Sequence, residues 1–278
     1  MDYRIAVVQP RVYPEEGEAN VKRACEYIAE AAMLRARIVC FPELYPGPWT
    51  PSVDYDPLPA LAAAARDHSV HVIAGLIEEV PGEPERHHIA LVLLDPDGNE
   101  VGRYRRMIPE GPWIYQGAPF HSLDYKEGEG LPVFDVGETR IGLLMCSELF
   151  VPELSRMLAV RGAEIIFMPT GNWKKAQWDN WRVLLRARAV ENLAFTATSQ
   201  NIVGTEGRHP GLAMICSPEE VLIESPGVGV FVADCDLDRL RMLRQETDRR
   251  DFPEGKASKT GVLWQWYQPD LFRKLEGG

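Results

Sequence analysis

Short, almost wholly apolar runs alternate with segments whose apolar residues return at helical spacing, and this alternation restricts the chain to a layered α/β fold. Residues 4–9 (RIAVVQ) read as a buried strand. Val21, Ala24, Cys25, Ile28, Ala31, Ala32 and Leu34 mark a helix within 20–37, and strand character resumes at Ile38–Phe41. A proline-rich loop at 46–59 leads to an alanine-rich helix at 58–68. Apolar strands follow at 70–77 and 88–95, punctuated by Pro81-Gly82 and Asp97-Gly98. The second half repeats this order, with strands at 131–136 and 140–146, a helix at 152–161, a strand at 164–169 and a helix around 178–193. Further strands are expected at 194–202, 212–216, 220–224 and 228–235, and a short helix at 237–244. Residues 246–278 form a polar, tryptophan-bearing tail. No linker, repeat or break in composition divides the chain, so one α/β domain over 1–278 is expected. The number of strands suggests two stacked sheets.

Composition narrows the partners. Lys and Arg total 30 against 41 Asp and Glu, a net charge of −11. Such a surface is not built to neutralise nucleic-acid phosphates or anionic lipid, which leaves a small molecule or another protein. The five cysteines, Cys25, Cys40, Cys146, Cys216 and Cys235, are widely spaced with no CxxC pair. Neither a disulfide framework nor a structural zinc site is expected from them. No segment approaches the roughly 20 apolar residues of a membrane span, and the first residues lack a basic region followed by a long apolar stretch. The expectation is a cytoplasmic protein.

Candidate chemistry sits where apolar strands end, the place α/β folds put ligands. Cys146 closes the run Ile141–Met145 and precedes Ser147-Glu148. Taken alone it reads first as a buried thiol acting as a small hydrophobe, and a functional reading needs a base nearby. Glu43 closes Val39–Pro42 ahead of Leu44-Tyr45-Pro46-Gly47-Pro48-Trp49, and a carboxyl among such aromatic neighbours is suited to exchange a proton with a thiol. The basic stretch Gly102–Arg106 runs into a Pro/Gly/Trp loop containing Glu110 and Trp113. Pro169-Thr170-Gly171-Asn172-Trp173 again sets polar and aromatic residues after an apolar strand. Four such loops could line one pocket. Trp49, Trp113, Tyr115 and Trp173 are the candidate walls, since tryptophan offers a large apolar face and one donor. Arg186, Arg188 and Glu191 read as structural, with Arg188 and Glu191 spaced to pair on one helix face. The adjacent His87 and His88 read as surface residues and not as metal ligands.

In order along the chain, Ala6–Pro10, Phe41–Leu44, Tyr104-Arg105-Arg106, Gly142–Cys146 with Pro152–Arg156, Arg186–Asn192, His209-Pro210-Gly211 and the strand end at Asp236 resemble the nitrilase or carbon–nitrogen hydrolase superfamily, its amidase-like branches included. The resemblance implies a four-layer α-β-β-α sandwich that pairs into a homodimer or larger homo-oligomer, with the 246–278 tail packing on a partner subunit. It places the general base at Glu43 and the nucleophile at Cys146; Trp49, Trp113, Asn172, Trp173 and Glu148 are the candidate substrate contacts. Cleavage of an amide or N-carbamoyl compound first, and of a nitrile second, follows through a cysteine thioester without metal or organic cofactor.

Two positions depart from the family pattern. The usual lysine of Tyr-x-Lys is Arg106 here, which keeps the charge but spreads it over a planar, bulkier fork that holds its proton. Arg106 is then a working substitute, a clamp for a substrate carboxylate, or a lock on Glu43 that impairs the site. Lys126, Lys174 or Lys175 could supply the missing ammonium. Ser147-Glu148 follows the nucleophile, where many amidase-like members carry an aromatic residue and Asp. Glu110 corresponds to an additional family glutamate after the lysine loop. Arg106 alone supports the rival reading, a non-catalytic relative that binds a metabolite or serves as a scaffold.

Overall fold

The computed structural model describes residues 2–13, 16–48, 55–109, 124–171, 178–203 and 211–245. Strands β1 (Asp2–Gln9), β2 (Arg11–Val12) and β3 (Ile38–Cys40) come first, with helix α1 (Gly17–Met33) between the last two. Helix α2 (Leu58–His68) precedes β4 (His71–Val80), β5 (Glu83–Leu94), β6 (Glu100–Arg105) and β7 (Asp124–Tyr125). Then come β8 (Val133–Val136), β9 (Thr139–Leu143), a 3-10 turn at Cys146–Phe150, α3 (Pro152–Val160) and β10 (Ile165–Phe167). The chain continues through α4 (Trp178–Asn192), β11 (Phe195–Thr198), β12 (Ile202–Val203), β13 (Ala213–Cys216), β14 (Val221–Ser225), β15 (Gly229–Asp236) and α5 (Leu237–Gln245).

One sheet runs β15-β1-β3-β4-β5-β6, with β7 added on β5, and the other β14-β13-β11-β10-β9-β8. Helices α1 and α2 lie on the first sheet, α3 and α4 on the second, and the sheets meet through β1 with β13 and β14 with β15. This is the α-β-β-α layering expected from the sequence. The central strands β3 and β10 are buried along their whole length because each lies between a helix layer and the opposing sheet. Two parallel sets, β1-β3-β4 and β9-β10-β11, bring several carboxyl ends together.

Most expected elements are present with shifted ends. Helix α1 starts at Gly17 and stops at Met33, because Arg35 takes a left-handed backbone (φ 63°) and turns the chain into β3. The β4–β5 hairpin runs on past its apolar stretch to Val80↔Glu83, since ladder hydrogen bonds need no apolar side chains. Strand β6 is the main element the apolar pattern missed. Its outward Arg103 and Arg105 both reach Glu78 on β4, while Tyr104 and, one step beyond the strand, Arg106 point inward and are buried. A period of two therefore hides behind the basic composition. His88 is buried, not on the surface, and its Nδ1 lies 2.9 Å from the Lys126 carbonyl. Helix α5 is fastened by Arg241 to Glu164 at 2.6 Å and by Arg244 to the carbonyls of Leu193 and Ala163. The tail from 246 lies outside the described residues.

Candidate active site

Each candidate residue leaves its sheet along backbone hydrogen bonds that continue the ladder one to three residues past the strand end. The Phe41 amide bonds the Ile73 carbonyl at 2.9 Å beside Glu43, the Arg106 amide bonds the Ile89 carbonyl at 2.8 Å, and the Cys146 amide bonds the Pro169 carbonyl at 3.0 Å. Their positions are thus fixed by backbone pairing with the neighbouring strand. Both turns then adopt sparsely populated backbone, with φ of 61° at Leu44 and 55° at Cys146. Non-glycine residues in this region persist only where the surroundings hold them, and they cluster at functional sites. The Glu43 turn is seated on Gly75 of β4. A Cβ there would stand 2.3 Å from the Leu44 amide nitrogen and 3.1 Å from the Glu43 carbonyl carbon, so only glycine admits this approach. From the other side, Asn201 Nδ2 donates to the Glu43 carbonyl at 2.7 Å.

Glu43, Arg106 and Cys146 meet in one buried cluster, 1%, 0% and 1% exposed. Arg106 Nη1 donates to Glu43 Oε1 at 3.0 Å, and Nη2 donates to Ser147 Oγ at 2.5 Å. Cys146 Sγ receives a hydrogen bond from Thr170 Oγ1 at 3.6 Å. Burial, then the Glu43 charge, push this thiol well above the ordinary range, against the opposing pull of Arg106 and Thr170. Cys146 therefore rests as a protonated thiol in the same buried cluster as the Glu43 carboxylate. Arg106 stands between Glu43 and the Cys146 turn, with one terminal nitrogen on Glu43 and the other on Ser147.

Glu148, expected among substrate contacts, is a brace between two loops. Its Oε2 accepts from Tyr104 Oη at 2.7 Å and from the Met145 amide at 2.8 Å; its Oε1 accepts from the Met107 and Ile108 amides at 2.8 and 3.1 Å. Burial pushes its carboxyl up, while Tyr104, Arg106 and the backbone donors pull the other way. Four donors on two oxygens leave the charged form well satisfied. One side chain thus ties the end of β6, which carries Arg106, to the turn that carries Cys146. Lys126 does not stand in for the family lysine; it pairs with Glu83 at 2.6 Å. Arg188 pairs with Glu191 at 2.9 Å and also donates to the Leu149 carbonyl, fastening α4 to the Cys146 turn. Arg186 donates to the carbonyls of Ser217 and Pro218. Glu110, Trp49, Trp113, Tyr115, Asn172, Trp173, Lys174, Lys175, His209 and Pro210 lie outside the described residues. Sequence reading missed Gly75, Asn201, Thr170 and the bracing role of Glu148. Gly75, in the middle of an apolar strand, was the only one to leave a local signal.

A family model described as carbon-nitrogen hydrolase matches residues 4–245. The chain belongs to the carbon–nitrogen hydrolase family. The family resemblance read from the motifs is borne out, and so is the amidase-type enzyme reading; the non-catalytic alternative is not favoured. A deaminated glutathione amidase from Synechocystis is 29% identical over 265 residues, spanning 88% of this chain and 95% of that protein. A human omega-amidase is 25% identical over 262 residues, spanning 88% and 92%. Among solved structures, a cysteine-to-alanine variant of the amidase from Nesterenkonia sp. AN1 in complex with butyramide aligns with a TM-score of 0.71 at 26% identity, covering 86% of this hydrolase and 92% of that chain. A glutamate-to-leucine variant of the same amidase carries the acetamide moiety of fluoroacetamide on its active-site cysteine. It aligns with a TM-score of 0.71 at 27% identity, covering 89% and 94%.

Proposed function

We propose that this hydrolase cleaves the carbon–nitrogen bond of a small non-peptide amide or N-carbamoyl compound, with nitriles as poorer substrates, through a thioester on Cys146. The observation that carries the reading is one buried cluster of Glu43, Arg106 and Cys146, in which the guanidinium bonds both Glu43 and Ser147, the residue after Cys146. Glu43 takes the thiol proton as the sulfur attacks the carbonyl carbon, and the oxyanion that forms is stabilised by the guanidinium nearby. Collapse of that intermediate breaks the carbon–nitrogen bond while Glu43 returns its proton to the leaving nitrogen, releasing ammonia or an amine. Water then gives a proton to Glu43 and attacks the thioester; the second collapse expels the Cys146 sulfur, which recovers the proton as the acid departs. Water exclusion from this site strengthens each charge interaction. The relatives named as amidases support an amide in preference to a nitrile.

The enzyme is proposed to work as a homodimer or larger homo-oligomer, which fits the exposed Phe150 and Val183 on the helix layer of the second sheet. A cytoplasmic location fits five free thiols. The test is ammonia release from aliphatic, carboxylated, aromatic and N-carbamoyl amides and from nitriles, with Cys146→Ala as the blank. Release by the wild type and none by the variant is expected. Equal release by both would refute the mechanism.

A further inference from the structure

We propose that Ser147 is the positioning residue that makes an arginine serviceable where the family carries lysine. The inference rests on the amide-hydrolase reading of the site. A lysine ammonium is a single nitrogen that rotates its donors freely, whereas a guanidinium fixes two terminal nitrogens in one plane. If Nη1 is to face Glu43, the place of Nη2 is thereby decided. Arg106 is fully buried, and a buried charged donor needs an acceptor at that place. Ser147 Oγ supplies it at 2.5 Å, while Nη1 sits 3.0 Å from Glu43 Oε1. Ser147 directly follows the nucleophile, so the same bond ties the guanidinium to the Cys146 turn.

The geometry also explains why this position holds a small hydroxyl residue. Nη2 occupies the space beside Ser147 Cβ, where an aromatic ring would compete with it. The departures at 106 and 147 are thus one feature: the larger cation and the residue that seats its second nitrogen. Glu148, next along the chain, holds the Met107 and Ile108 amides just beyond Arg106, so the guanidinium is fixed at both its backbone and its tip. Without the Ser147 contact Nη2 loses this acceptor, and the line along which Nη1 meets Glu43 is held less tightly. Displacements of about 1 Å at a reacting centre cost on the order of 100-fold in rate.

The test compares Ser147→Ala and Ser147→Thr in the Arg106 and Arg106→Lys backgrounds, measuring kcat and KM on the best amide of the panel. A second readout is the pH profile of Cys146 alkylation by iodoacetamide, followed by intact mass. In the natural background, Ser147→Ala is expected to lower kcat about 10- to 100-fold, with KM changed less than about 2-fold. Its alkylation profile moves to higher pH as the arginine charge swings away from the sulfur, and Ser147→Thr restores both. In the Arg106→Lys background the same alanine change costs less than about 2-fold, because an ammonium has no second nitrogen to seat. An equal loss in both backgrounds, or an unmoved alkylation profile in a variant that melts like wild type, would overturn the proposal. Should the wild type hydrolyse no amide, the amidase reading fails while the alkylation profile still decides the role of Ser147.

Discussion

Gly75→Ala tests whether the position of the base is set by a backbone seat remote from the chemistry. The added methyl would lie 2.3 Å from the Leu44 nitrogen, where ordinary contact begins at 3.4 Å, so about 1 Å of retreat is required. Strand β4 is held by β5 at Gly75 and by β3 two residues earlier, at His71–Ile73, and resists that shift. The turn Glu43–Leu44 is the part that moves, and it is already held in a left-handed conformation at Leu44. A shift of about 1 Å at the base predicts a loss of about 100-fold in kcat, and overpacking predicts a stability loss of about 1–3 kcal/mol. Gly130→Ala is the control, since a Cβ there meets nothing within 4 Å. Ammonia release gives kcat, and thermal melting separates misplacement from unfolding. A Gly75→Ala enzyme that melts like wild type and keeps kcat within about 2-fold would refute the argument that this close approach positions Glu43.

Two further outcomes follow from the buried charges. Glu148→Gln sets an amide NH2 against the Met107 and Ile108 N–H donors if turned one way and against the Met145 N–H if turned the other, where the Tyr104 hydroxyl can rotate to accept, so a stability loss of about 1–3 kcal/mol is expected, with kcat falling as the Arg106 and Cys146 loops lose their shared brace; chemical denaturation and turnover on the same samples check both. Burial opposes the charge of Glu164, but Arg241 and Thr139 outweigh it and hold its carboxyl below the ordinary range. A group whose pKa is depressed on folding contributes stability that is present above the unfolded value of about 4.3 and is lost as pH falls through the folded one. Arg241→Met should therefore lower stability at pH 7 by about 1 kcal/mol, with the gap to wild type closing in denaturation series carried below pH 4; a constant gap would refute the ion pair as its source.

Local sequence was enough for most elements and for the reactive trio, because those features are written in short range. Ile38–Cys40 and Ile165–Phe167 are apolar throughout since each strand is covered on both faces, and Glu43, Arg106 and Cys146 fall one to three residues beyond strand ends. Strand β6 escaped notice because only every second residue of Glu100–Arg105 and its extension turns inward, and the outward ones are arginines balanced by Glu78 on another strand. Charge that is neutralised through space looks, along the chain, like a solvated loop.

What the sequence alone determined is the layered α/β order, the choice of Glu43, Arg106 and Cys146 as candidates, and the unusual arginine. Only tertiary structure decided how they act together. Glu148 reads locally as a substrate-side carboxylate, yet its donors come from residues about 40 positions upstream as well as from its own turn. The carbonyl of Glu43 is held by Asn201, 158 residues away, and its turn rests on Gly75. The contact that seats the Arg106 fork on Ser147 spans 41 residues. Such contacts depend on the register and spacing of two sheets packed face to face, and no periodicity within one segment encodes that distance.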